Sequence, residues 1–185
     1  MLLNATQSFA AFPQTDRDFS LLPPFCKAKL KPSSPEEAAI WAGRLGGTGC
    51  AGWQHYCAAL HSLRLANNIL PTNAERKMDK DGLYGTVLGE AYYTERNSDP
   101  KCVLFPNIYA TKAEALFALD KPGEAAGYLT KAIEKNKKFT KAYSMLADYY
   151  VKTGNKKSAI EILQEGLKYS PKSKILQKKL NALSN

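Results

Sequence analysis

Residues 109–171 read YATKAEALFALDKPGEAAGYLTKAIEKNKKFTKAYSMLADYYVKTGNKKSAIEILQEGLKYSP, and this stretch repeats its own pattern at a period of 34 residues. The second copy carries Tyr143, Leu146, Ala147, Tyr150, Ala159, Leu163, Gly166 and Pro171; stepping back gives Tyr109, Lys112, Ala113, Leu116, Ala125, Leu129, Ala132 and Lys137. Small residues at Ala113/Ala147 and Ala125/Ala159 let two antiparallel helices approach closely, while the large residues fill the space between units. A unit of this size does not bury its apolar face alone, so the repeat predicts a stack.

The spacing of a large aromatic, a Leu-small pair, a second aromatic, then Ala, a bulky apolar residue, a small residue and Pro resembles the tetratricopeptide repeat. That resemblance implies an all-α fold, a right-handed array of antiparallel helix pairs, and a scaffold that binds rather than reacts. It also implies a concave groove lined by the first helix of each pair. Carried onto this chain, the groove positions are Asn107, Ala110, Glu114 and Phe117 in one unit and Lys141, Ser144, Asp148 and Val151 in the next. A divergent earlier unit adds Gln54, Ala58 and His61. Glu114 and Asp148 are equivalent positions, so their charges should stack along one wall. Repeats that grip the C-terminal carboxylate of heat-shock chaperones use Lys and Asn at such places, where this chain has Ala110 and Glu114. A mixed groove of small residues and two carboxylates suits instead a helix or extended segment carrying a Lys or Arg, held by modest contacts.

Working outward, helices are expected near 107–119, 122–136, 140–153 and 156–169, giving two repeats over 106–171. Asp120 and Asn155 are the expected N-caps, and Gly154 the C-terminal cap. Over 172–185, a helix near 173–183 would turn Leu176, Leu180 and Leu183 inward and Lys174, Lys178 and Lys179 outward, as a capping helix does at the end of a stack. Residues 34–105 read as the divergent unit. A helix should open at Ser34 with Pro35 at its first position and stop at Gly46-Gly47, its face made by Ala38, Ile40, Trp41 and Leu45. The segment 51–67 places Trp53, Tyr56, Cys57 and Leu60 like the first helix of a repeat, but Trp53 lies 56 residues before Tyr109, so the unit is enlarged.

A long helix from Ala74 to Arg96 should follow, with Leu83, Val87, Leu88, Ala91 and Tyr92 on one side. Its Gly82, Gly85 and Gly89 cost about 1 kcal/mol each relative to Ala, so close packing or a break is expected there. Residues 11–33, with Pro13, Pro23, Pro24 and Pro32, read as an extended arm that buries Leu21, Leu22, Phe25 and Leu30.

The formal net charge of +9 is unevenly placed: residues 1–127 hold 13 basic and 13 acidic side chains, and residues 128–185 hold 13 Lys against 4 acids. These lysines read either as a solvated surface near helix ends or as an attraction to an anionic partner. Nucleic acid is not expected, because the excess contains no Arg for bidentate contacts. At the N-terminus, Ser8-Phe9-Ala10 before Ala11-Phe12-Pro13 has the small-x-small form of a signal-peptidase site, yet only Met1-Leu2-Leu3 stands where an apolar stretch belongs. Residues 1–10 therefore read either as the remnant of a truncated leader, with the mature chain starting near Ala11, or as chance. The first reading places the protein outside the cytoplasm, periplasmic or secreted; the second leaves it cytoplasmic. An oxidising compartment would permit disulfides among Cys26, Cys50, Cys57 and Cys102. Two helical turns separate Cys50 from Cys57 by about 10.5 Å, too far for a bond within one helix. Each needs an outside partner, and Cys26–Cys57 is preferred to Cys26–Cys50; the alternative is a Cys57 that is simply a small buried residue. No catalytic constellation, metal-ligand spacing or phosphate loop stands out, His55 and His61 read as surface or groove residues, and no enzyme activity or cofactor is expected. The partner expected is a protein or peptide, with an anionic surface as the rival.

Overall fold

The computed structural model describes residues 12–70 and 74–184. The boundary expected near Ala10–Ala11 lies outside the described residues. Among the described residues every regular element is helical, and the chain forms an all-α, tetratricopeptide-like helical array. It divides into two compact units, one ending at Leu104 and one spanning Phe105–Asn185.

In the first unit the expected extended arm is replaced by two helices, α1 (Asp16–Ser20) and α2 (Pro24–Leu30). Thr15 and Asp18 form a reciprocal capping box at α1, and Pro24 sits at the first position of α2, where a missing N–H removes no helical bond. The prolines of this segment start or flank helices instead of forbidding them. Phe25 packs its ring near Trp41, Trp53 and Tyr56, with centroids 6.2, 5.9 and 6.4 Å away, which draws α2 onto α3 (Pro35–Arg44) and α4 (Trp53–Asn68). Beside this cluster Cys26 and Cys57 form a disulfide. Ser34 caps α3 through Glu37 N–H, and Gly46 stops it at φ 92°. Ile40, placed on the apolar face of this helix by the sequence, is exposed, whereas Leu45 is buried.

Helix α4 pairs with α5 (Ala74–Asn97) in antiparallel fashion, as the contacts of Tyr84 with Asn67, Glu90 with His55 and Thr94 with the Gly52 carbonyl require. The buried side of α5 is Tyr84, Val87, Ala91 and Thr94. Tyr92, expected inside, is exposed. Cys50 lies outside α4 in a 3-10 turn, Gly47–Cys50, and bonds to Cys102, a pairing not anticipated from the spacing. The same turn receives Asp99 N–H at the Gly49 carbonyl, 2.7 Å.

The three glycines of α5 have neither of the explanations expected of them. The helix runs unbroken, all three are exposed, and a Cβ at Gly82, Gly85 or Gly89 would meet nothing within 4 Å. Replacing each by Ala should therefore raise stability by about 0.5–1 kcal/mol, read as a higher denaturation midpoint in urea. A loss at any one would show that the glycine is in close contact within the chain after all.

The second unit comprises α6 (Phe105–Ala118), α7 (Pro122–Lys135), α8 (Thr140–Lys152), α9 (Lys156–Tyr169) and α10 (Lys174–Ser184). Repeat positions Tyr109, Ala113, Leu116, Ala125, Leu129 and Ala132, and their counterparts Tyr143, Ala147, Ala159, Leu163 and Gly166, are all buried. Tyr150, the counterpart of Leu116, packs half-buried against the core. Leu176 of α10 completes the core of the second pair, with Leu180 and Leu183 packed against it. Asn155 caps α9 by accepting from Ser158 N–H at 3.0 Å.

Asp120 is not the N-cap of α7; Lys121 holds that place without a side-chain cap. Asp120 instead adopts φ 57° and Gly154 φ 76°, and the following residue in each turn donates at 2.8 Å, Lys121 N–H to Leu116 and Asn155 N–H to Tyr150. Asp120 stands 34 residues before Gly154 and does the same work, closing a helix in the left-handed region that Asp tolerates better than most residues.

A candidate peptide-binding face on the C-terminal array

In the second unit, α8 contacts both α6 and α10, so these three helices share one side of the array. Where α6 meets α8, a cavity of about 240 Å³ opens, lined by Phe117, Met145, Asp148, Tyr149 and Lys152. The rings of Phe117 and Tyr149 lie 6.0 Å apart, and Tyr149 in turn lies 5.4 Å from Tyr150. Three of these residues come from one strip of α8: Met145, Tyr149 and Lys152 follow at i, i+4 and i+7 and so share a helix face. Asp148 and Lys152 rim the cavity and the aromatic rings supply its walls.

The sequence-derived positions fall into three groups. Asn107, Lys141, Asp148 and Val151 are exposed, and Glu114 and Phe117 are half-buried. Ala110 and Ser144 are 0% and 5% exposed, so they are packed residues and offer no side chain to a ligand. Their small size is what lets neighbouring helices close over them. Met145, Tyr149 and Lys152 are not among the positions expected from the sequence, although their i, i+4, i+7 spacing was there to be found.

Charge is arranged differently from the sequence expectation of free carboxylates with lysines outside. Glu114 is paired with Lys141, and Asp148 with Lys179. Lys179 is half-buried rather than outward, and its ammonium also donates to the Ser144 carbonyl at 3.3 Å. The reason is geometric: α10 packs on both α8 and α9, and Lys179, three residues beyond the buried Leu176, is carried round toward α8. Exposed pairs of this kind contribute little to stability, about 0–1 kcal/mol, but they neutralise both carboxylates.

Within the divergent unit, the positions expected to line a groove are covered. Ala58 and His61 are buried and Gln54 is half-buried. His61 Nε2 lies 3.4 Å from Asp18 Oδ1 of α1, so the helical arm covers what an open first helix would expose. Thr15 N–H, against the opposing effect of burial, holds the Asp18 carboxyl far below the ordinary carboxylate range. His55 is half-buried, its Nδ1 2.6 Å from Glu90 Oε2 and its ring 4.0 Å from that of Tyr93. This carboxylate orients the imidazole between α4 and α5.

Residues 111–183, within the C-terminal array, match the family model described as tetratricopeptide repeat. No curated protein matches the chain. Repeats of this family generally mediate protein–protein interaction. No helix among the described residues is long and apolar enough to cross a membrane.

Proposed function

We propose that this protein is a non-enzymatic adaptor or scaffold that holds a peptide or helix of a partner protein against the face made by α6, α8 and α10, within an extracytoplasmic assembly. The observation that carries the reading is the aromatic-walled cavity between the first helices of the two repeats. The two disulfides, which an oxidising compartment preserves, support the location. Binding in this arrangement relies on a rigid, pre-formed surface, so ordering costs fall mainly on the partner segment.

A second reading has its own observation. Lys156, Lys157, Lys168, Lys172, Lys174 and Lys178 are exposed, and among the described residues Lys157 alone of these has an acidic neighbour, Glu161 at 3.9 Å. Such a surface would attract a membrane, a polysaccharide or an acidic protein, with contacts weakened by salt.

One comparison separates the two. Peptides selected from a displayed random library against the full chain are measured by fluorescence anisotropy against two variants. Met145→Trp, which places a large ring in the cavity, should weaken binding at least about tenfold. Neutralising Lys156, Lys157, Lys174 and Lys178 to Gln should leave affinity within about twofold at physiological salt. The opposite pattern would reject the groove reading in favour of the anionic surface.

A further inference from the structure

The structure points to the kind of segment this face accepts, an inference that rests on the groove reading above. We propose that the partner inserts one aromatic or long aliphatic side chain between Phe117, Met145 and Tyr149, with an Asp or Glu beside it facing Lys152. A cavity of about 240 Å³ is smaller than the roughly 300–1,000 Å³ of pockets that enclose a whole small ligand. It suits a single large side chain with the rest of the segment lying outside.

The lining decides the chemistry of that side chain. Phe117, Met145 and Tyr149 present two aromatic rings and a thioether, which favour an apolar or aromatic visitor. A Lys or Arg anchor, the occupant that the two carboxylates suggest from the sequence, would compete with Lys141 for Glu114 or with Lys179 for Asp148. That exchange replaces one ion pair with another and adds no net attraction. Lys152, by contrast, is exposed on the rim with no acidic side chain among the described residues within ion-pair distance. With both carboxylates neutralised internally, it leaves the cavity edge positive, and the complementary flank on a partner is acidic.

The test uses the full chain and a displayed library of random peptides, followed by synthesis of the strongest binder with its anchor and its flank varied. The enriched peptides should share a Trp, Phe, Tyr or Leu next to an Asp or Glu. Exchanging that anchor for Lys should weaken binding at least about tenfold. In Lys152→Glu, an exposed change that leaves the core alone, the preferred flank should switch from acidic to basic, each peptide shifting by about tenfold in opposite directions. Enrichment of basic anchors, or a flank preference indifferent to Lys152→Glu, overturns this inference while leaving the groove reading intact if Met145→Trp still blocks binding. Binding that survives Met145→Trp removes the groove reading itself and this inference with it, as does a library that yields no enrichment.

Discussion

Reduction should unfold the N-terminal unit and leave the C-terminal array standing. All four cysteines lie in the first unit, joined as Cys26–Cys57 and Cys50–Cys102 across sequence separations of 31 and 52 residues. Loop-closure entropy assigns about 3–4 kcal/mol to each bond, comparable to much of the roughly 5–15 kcal/mol that holds a domain together. The α1–α2 arm is short, and Cys26–Cys57 is its one covalent tie to α4 among the described residues, beside the Phe25 cluster and the Asp18–His61 contact. Cys26→Ala with Cys57→Ala should therefore free the arm first, seen as rapid amide exchange over residues 16–30. Thiol titration of the unreduced, denatured protein should find no free thiol. Four reactive thiols would contradict both bonds and remove the support they give to an oxidising compartment.

Gly166→Ala should destabilise the array by about 1–3 kcal/mol, although helix propensity alone favours Ala there by about 1 kcal/mol. A Cβ at Gly166 would lie 2.8 Å from Tyr143 Cγ, 3.1 Å from Tyr143 Cβ and 2.8 Å from Leu176 Cδ1. The leucine methyl can rotate away, but the root of a fully buried tyrosine ring cannot move without shifting α8. Overpacking therefore wins over propensity. The same substitution at Gly85, where a Cβ meets nothing, should act with the opposite sign. Urea denaturation of the two variants decides the matter: equal effects would show that Gly166 is not the close-contact position of the second repeat.

The C-terminal array was legible because its code is local and repeated. Each helix there begins and ends within two residues of the position read from the period of 34. Even the misread Asp120 was encoded, since the period places it opposite Gly154, and its left-handed turn follows from that equivalence. The first unit was less legible because its helices are held by distant partners. Prolines suggested an extended arm; Thr15, Asp18 and Pro24 mark helix starts locally, but the tertiary contacts of Phe25 and Cys26 are what hold two such short helices in place. The candidate face was readable in outline and not in charge. Glu114 and Asp148 were placed on it, but their partners Lys141 and Lys179 come from later helices, and an ion pair across helices leaves no periodic trace. In α5 the glycines mark neither a break nor a contact in the free chain.

We propose above that partners are held between α6 and α8. Amide chemical-shift mapping of the isotope-labelled full chain, titrated with a library-selected peptide, tests it most directly because it assumes nothing about the chemistry of recognition. The largest shifts should fall at Phe117, Met145, Tyr149 and Lys152, with α7 and α9 little affected. Shifts concentrated instead on Lys156, Lys157, Lys168 and Lys172, with the α6–α8 cavity unmoved, would contradict it.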